Sequence, residues 1–472
     1  MGMLGYGQRV SALTRRNGDV SFWLAAVPAP QRRAPLPGDL DADVCVIGGG
    51  FTGLWTAYHL ARSRPDLDVV VLERERVGFG ASGRNGGWLT PAFAAPRERL
   101  VRTHGAEPVR ALERALRESI TDVLTVCAEE GMTCDVLAGG VLRVARGAAQ
   151  AARLRAAVAA ERAWNGDDAD LMSLDADALA ARVHVAGASC GAWSSHGVRV
   201  QPAKLVHGLA EAAERRGVRI FEGTAVRELQ PGTALTDRGT VRAPAVLSCV
   251  EGFTPSLRGA RRTLLPLNSA IVVTEPLDDA TWAAIGWDGG ELLGDAAHAY
   301  VYAQRTADGR IALGGRGVPY RYGSRTDRDG RTQARTISGL ARTLHTLFPA
   351  TASAAIDHAW CGVLGVARDW QPAVRFDRAR GIGFAGGYVG NGLGAANLAG
   401  RTLRDLVLGE DTELTRLPWV GHTARRWEPE PLRWLGASAV WGLYRVADRR
   451  EAMSGSARTS GFARAADLLA GR

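Results

Sequence analysis

Four consecutive apolar residues, Val44-Cys-Val-Ile47, open the clearest pattern in the chain. The run is too short for a helix and too uniformly apolar for a half-exposed strand, so it predicts a strand buried on both faces. Thr52 to Arg64 then has helical spacing, and Val69-Val-Val-Leu72 repeats the buried-strand pattern. Strand, helix and strand fill about thirty residues, the span of a dinucleotide-binding unit. Farther on, 105–130 and 148–163 read as helices rich in Ala, Leu, Arg and Glu, and Lys204 to Arg216 as an amphipathic helix leading to the strand Val218-Arg-Ile-Phe221. Strand-like pattern runs from Thr224 through Leu229, Ala234-Leu235 and Thr240-Val241 into the apolar run Ala245 to Val250, and recurs at 265–275 and 298–315. A glycine-rich segment, 381–394, runs into a helix from Ala395 to Leu408. Residues 1–40, marked by Pro28, Pro30, Pro35 and Pro37, read as an irregular, extended lead-in.

With 472 residues the chain can build two or three domain-sized units, and 46% hydrophobic with 23% charged residues is ordinary for a globular protein. The uncharged stretch Gly381 to Gly400 has the length of a membrane span, but its eight glycines and two asparagines argue against one. No apolar run follows Arg15 and Arg16 as in a secretory signal, so the expected location is cytoplasmic. Cys45, Cys127, Cys134, Cys190, Cys249 and Cys361 are scattered without a C-x-x-C, which predicts reduced thiols and no metal site. The net charge of +9 rests almost wholly on arginines in singles and pairs, Lys204 being the one lysine; without a basic run, nucleic acid is not the expected partner.

The chemistry lies in three glycine-rich segments. Gly48-Gly-Gly50-Phe51-Thr52-Gly53 sits between the first strand and its helix, where glycines permit a tight turn and a pyrophosphate can meet the helix N-terminus. Glu73 ends the second strand, twenty residues after Gly53. A carboxylate there accepts hydrogen bonds from an adenine ribose and repels a 2′-phosphate, which favours FAD or NAD over NADP. Val77-Gly-Phe-Gly80-Ala81-Ser82-Gly-Arg84-Asn85-Gly86-Gly87-Trp88 follows Glu73-Arg74, with five glycines that suggest backbone lying against a flat ligand. NAD has no comparable need for this loop, so it selects FAD. The third segment, Gly386-Gly387-Tyr-Val-Gly390-Asn391-Gly392-Leu393-Gly394, lies some 300 residues away and opens a helix whose N-terminus suits the charge of a reduced flavin.

On these motifs, with Gln201-Pro202, Thr224-Ala-Val226, Asp308-Gly-Arg310, Gly314-Gly315 and Trp360-Cys-Gly362, the chain resembles the D-amino-acid oxidase-like FAD oxidoreductases over residues 40–410. These include glycine oxidase, sarcosine oxidase and γ-glutamylputrescine oxidase; Ser82 to Gly87 is most similar to the last. The resemblance implies an α/β fold of the glutathione-reductase-like FAD type: a discontinuous Rossmann-type domain (41–100, 195–260, 350–410), a mixed-sheet substrate domain (101–194, 261–349) and a helical tail (411–472). It places Val226, Gly252 and Gly362 against FAD, Arg84 to Gly87 along the pyrophosphate and isoalloxazine, and Gly390 to Gly394 near flavin N1 and O2. It implies oxidation of an amine or amino acid, with O2 or another acceptor, by hydride transfer that needs alignment but no obligatory base. Tyr302, Arg316 and His298 are the candidates for the substrate wall.

Two departures narrow this expectation. The C-terminal flavin loop reads Tyr388-Val-Gly390-Asn391, without the arginine with which amino-acid oxidases of the family often grip a carboxylate. The lysine that assists O2 in sarcosine-oxidase-like members is approximately matched by Ala312. The sequence thus points to an amine, or to a carboxylate held elsewhere, for example by Arg316. No cysteine or histidine occupies a flavin-tethering context, so FAD is expected to be non-covalent. An FAD-dependent hydroxy-acid dehydrogenase and a non-catalytic flavin-binding or RNA-modification accessory protein are the alternatives. The tail carries Trp419, Trp427, Trp434 and Trp441, with the last two on one helix face. It is expected to pack over the flavin domain, with a homo-oligomer contact or a membrane-surface anchor as alternatives, and to fray from Ser454.

Overall fold

The computed structural model describes residues 14–315, 320–327 and 329–471. Two sheets carry the architecture. In the first, Arg219–Phe221, Val69–Leu72, Val44–Ile47, Ala245–Ser248 and Ile382–Gly386 run parallel in that order, and Ala373–Asp377 closes the far edge antiparallel. A parallel sheet must be covered on both faces, and the alternation of side chains shows how. Val44, Val46, Val69, Val71 and Leu247 join a core with helices Phe51–Ser63, Pro202–Arg215 and Gly392–Leu408. Cys45, Ile47, Val70, Leu72 and Val246 face the other way, onto a small sheet formed by 226–230, 233–236, 240–242 and 40–41.

The second sheet has nine strands in the order 16–17, 356–366, 265–274, 311–315, 301–305, 292–295, 141–145, 190–194 and 172–174. Its backbone is the long antiparallel pair Leu265–Thr274 with Ile356–Val366, every residue of the former buried. Helix Ala334–Leu347 lies against this sheet through Ile337, Leu340, Ala341 and Leu344. Helix Ala106–Glu129, within a segment read from sequence as part of the substrate domain, packs Leu112, Leu116, Ile120 and Val123 into the core of the parallel sheet.

Three local expectations change. The lead-in is not only irregular: Arg16–Asn17 adds a strand beside His358 and Ala359, and Phe22–Ala25 is a short helix capped by Ser21. Phe22 and Trp23 are buried against Trp360, the two indoles edge to face at 5.9 Å, and such aromatic area outweighs weak local propensity. The last segment does not fray: Gly461–Ala470 is a helix packed on helix Leu432–Ser454, because Ala463, Ala466 and Ala470 let the two backbones approach and the Ala470 carbonyl accepts from the Trp370 indole N–H. The tail also divides. Trp419 packs on the parallel-sheet side beside Phe93, whereas Trp427 docks with Leu265, Leu267 and Val366 of the large sheet. No helix among the described residues is long and apolar enough to cross a membrane. The six cysteines are free, Cys127 Sγ lying 3.8 Å from Cys134 Sγ.

Candidate active site

The first glycine turn is built for backbone. Gly48 has φ +107°, and a Cβ there would lie 2.7 Å from the Cys249 carbonyl oxygen. A Cβ on Gly53 would sit 2.0 Å from the Gly48 carbonyl oxygen, so this glycine serves the closeness of helix and strand. Helix Phe51–Ser63 starts without a side-chain cap from Gly50, and the Phe51 N–H donates to Ser82 Oγ at 2.8 Å. Glu73 is oriented by the N–H groups of Gly49 and Glu75, each donating to a different carboxylate oxygen at 2.8 Å. Burial raises its pKa against those two hydrogen bonds, and each oxygen keeps acceptor capacity for a ribose hydroxyl.

In the second glycine loop, whose five glycines suggested backbone lying against a flat ligand, most of them also answer to packing. A Cβ on Gly78, Gly83, Gly86 or Gly87 would lie 2.2 to 2.8 Å from Val206, the Gly78 carbonyl, Tyr302 or Gln304, whereas one on Gly80 would make only ordinary contact with Phe253 at 3.4 Å. The loop is held as firmly by hydrogen bonds. Asn85 donates from Nδ2 to the Ser82 carbonyl and accepts the Gly87 N–H, both at 2.7 Å, while Trp23 and Trp360 donate to the carbonyls of Asn85 and Arg84. Arg84, 1% exposed, spends its guanidinium on the carbonyls of Phe79, Asp327 and Cys361 and lies over the Phe79 ring. Burial lowers its pKa to about 10.

The third glycine segment is tied to the first through Thr52 and is held by Glu251, a residue that the sequence reading passed over. Helix Gly392–Leu408 takes in Gly392, Leu393 and Gly394 and, like the first helix, has no side-chain cap. The Tyr388 hydroxyl lies 3.2 Å from Thr52 Oγ1, tying the segment to the first turn. Glu251, at φ +44°, accepts N–H donors from Gly387 at 2.8 Å, Gly365 at 3.2 Å and Tyr388 at 3.3 Å. Enclosure pushes its carboxyl up to about 7 despite those donors. The sequence signal for Glu251 is its place directly after the buried run Ala245 to Val250, where a carboxylate is unexpected.

All three segments line one cavity of about 1350 Å³, larger than the few hundred to ~1,000 Å³ usual for a single small ligand. Its wall contains Gly48, Gly50, Phe51, Thr52, Glu73, Arg74, Gly80, Ala81, Ser82, Arg84, Asn85, Gly86, Trp88, Val226, Gly252, Gly362, Gly390, Asn391, Gly392 and Leu393. Gly53, Gly87, Gly387 and Gly394 stand behind that wall; Gly387 faces Glu251, and Gly394 abuts the Thr90 carbonyl. Tyr302, on the large sheet, and His298, in the loop before its strand, line the cavity. The Tyr302 hydroxyl is 3.0 Å from Ser269 Oγ, and its ring lies where a Cβ on Gly86 or Gly314 would be. His298 is committed elsewhere: its ring stacks on Tyr444, and Nε2 lies 2.9 Å from Glu451 Oε1 and 3.1 Å from Arg153. His298, Asp448 and Glu451 have the spacing of a metal site, but Arg153 already pairs with Glu451, and Asp448 accepts the backbone N–H groups of His298 and Ala299. Arg316 lies outside the described residues.

The profile of the family DAO, FAD dependent oxidoreductase, matches residues 43–406. The chain belongs to this family. FAD is therefore its cofactor. The DAO fold is also that of glycine oxidase from Geobacillus kaustophilus, with a TM-score of 0.68 at 19% identity over 82% of this chain and all of that one. In sequence this DAO protein is 31% identical to the gamma-glutamylputrescine oxidoreductase of Escherichia coli K12, over 79% of this chain and 84% of the relative. It is 30% identical to a probable oxidoreductase OrdL of Rhizobium meliloti, over 84% and 90% respectively. The site fits FAD on its own terms. Two helix N-termini whose N-cap residues, Gly50 and Asn391, supply no side-chain cap border the same cavity and could offer positive ends to a pyrophosphate and to a flavin pyrimidine. Glu73 could accept from a ribose hydroxyl, each of its oxygens holding only one backbone N–H.

Proposed function

We propose that this DAO-family protein oxidises the C–N bond of a small amine, with a non-covalent FAD. The observation that carries the reading is the continuity of the cavity: it runs from the dinucleotide turn at Gly48 to a polar compartment under the large sheet, walled by Ser269, Gly294, Asp295 and Tyr302. Bound FAD supplies a hydride acceptor at N5. The protein's part is to hold the carbon that bears nitrogen against it and to keep water out. Tyr302, fixed by Ser269 and by the two glycines around its ring, gives that compartment a rigid wall. With FAD bound, a hydride would leave the substrate carbon and a proton its nitrogen, giving an imine that water would hydrolyse, and an external acceptor would finally take up the electron pair. The gamma-glutamylputrescine oxidoreductase relative, an amine-chain enzyme by its name, supports an amine over an α-amino acid. So does the third loop, which places Val389, Gly390 and Asn391 at the cavity and no arginine.

The residues also favour an acceptor other than O2. Lys204, the chain's one lysine, is bound to Asp135 at 2.6 Å and does not line the cavity. Cys249 does line it, but burial pushes the thiol up to about 12, so it is no thiolate for tethering a flavin. The test is anaerobic mixing with a panel of amines, amino acids and hydroxy acids, followed by air. Bleaching by amines and reoxidation over hours are expected. Efficient turnover of glycine or sarcosine, or bleaching only by hydroxy acids, overturns the substrate reading; reoxidation within seconds overturns the acceptor.

A further inference from the structure

The family match ends at residue 406, yet two residues of the tail, Tyr444 and Asp467, line the cavity. They meet it on the side of the large sheet, at the loop between strands 292–295 and 301–305. The tail is fastened there by several bonds. Tyr444 stacks on His298 with ring centroids 5.9 Å apart and planes 9° from parallel. Glu451 bonds His298 and Arg153, and Asp448 accepts the N–H groups of His298 and Ala299 at 2.9 and 2.8 Å. The Tyr444 O–H donates to Asp467 Oδ1 at 2.5 Å, which aims a half-buried carboxylate at the cavity wall. Its charge is unspent: among the described residues no cation lies within ion-pair distance of Asp467 and nothing donates to Oδ2. The other acidic residues of this compartment differ. Glu113 and Glu161 both pair with Arg97, Asp170 accepts from Ser194 and Ser195, Asp295 accepts the Val301 N–H, and Asp168 is exposed on a surface turn.

We infer that the tail is the distal wall of the substrate compartment and that Asp467 binds a cationic group at the far end of an elongated amine, such as the second ammonium of an α,ω-diamine. This rests on the amine reading above. A carboxylate held by one hydroxyl, with a free oxygen and no cation partner, gains most from an ammonium, and the partly enclosed wall keeps that attraction from full solvent screening. Asp467 is thus a specificity residue remote from the reacting carbon, and its loss acts on binding rather than on the rate of flavin reduction.

The experiment compares linear diamines with monoamines of equal chain length in anaerobic reduction of the holoenzyme, for the wild type, Asp467→Asn and Tyr444→Phe. Asp467→Asn is isosteric and keeps an acceptor for the Tyr444 hydroxyl, so folding is retained. The expected result is a half-saturating diamine concentration raised roughly 10- to 100-fold in Asp467→Asn. The limiting reduction rate and the monoamine values stay unchanged. Tyr444→Phe, which frees the carboxylate to turn away, gives a smaller rise of the same kind. Equal effects on diamine and monoamine, or none on either, overturn the role of Asp467 while leaving amine oxidation standing. Failure of every amine to bleach the wild-type flavin overturns both readings.

Discussion

Glu251 shows how one side chain holds the site together. It sits in a left-handed backbone conformation, φ +44°, and gathers three N–H donors from two distant segments. Those donors favour the carboxylate, but enclosure outweighs them and lifts its pKa from an ordinary 4.5 to about 7. The sign follows by linkage. A carboxyl with a raised folded-state pKa keeps its proton in the native protein after the unfolded chain has lost it. Its contribution is complete below pH 4.5 and is lost as pH rises through about 7. Urea unfolding of the wild type is expected to show stability falling by roughly 3 kcal/mol over that interval relative to Glu251→Gln, which cannot ionise. Parallel curves for the two proteins would remove Glu251 from this role. Its one local signal is a carboxylate directly after the buried run Ala245 to Val250; its partners Gly365 and Gly387 are more than a hundred positions away and act through backbone N–H groups that carry no residue signature.

At the level of elements, legibility follows how local the cause is. The unit from Val44 to Leu72 could be read directly, since the apolar tetrads, the intervening helix and the φ +107° of Gly48 belong to one short stretch. The second loop could be located but its glycines were explained only in part, because Val206, Phe253, Tyr302 and Gln304 come to it from elsewhere in the chain. The tail was read least well. Helix Gly461–Ala470 is short and small-residued, marginal alone, and is stabilised by docking on Leu432–Ser454. That docking depends on small volume at Ala463 and Ala466, both fully buried. Ala466→Leu is therefore expected to cost about 1–3 kcal/mol of local stability by overpacking. Hydrogen exchange would register it as faster exchange across 432–470, with flavin retained and the core of the parallel sheet unaffected. Unchanged protection in the tail would mean that the two helices adapt without separating.

Across the whole molecule, the cavity joins structures that share few direct strand contacts. The parallel sheet brings Gly48, Glu73 and the helix starting at Phe51, the large sheet brings Ser269, Tyr302 and Gly362, and the tail brings Tyr444 and Asp467. A ligand that spans such a cavity and has no affinity for the unfolded chain stabilises everything it touches by mass action, by about 4 kcal/mol when free ligand exceeds its dissociation constant a thousandfold. FAD should therefore act as a strut between the two sheets as well as a reagent. Acid precipitation is expected to release the flavin into the supernatant, in keeping with a buried, protonated Cys249. Protein stripped under milder conditions should unfold several degrees lower, with the parallel-sheet and large-sheet signals lost together. Added FAD should restore the transition, whereas riboflavin should restore little, because it lacks the pyrophosphate for the Phe51 helix and the ribose for Glu73. If stripping lowered only the parallel-sheet transition and left the large sheet where it was, the cofactor would be acting on one half of the fold, and the rigidity assigned to the wall at Tyr302 would have to come from the large sheet alone.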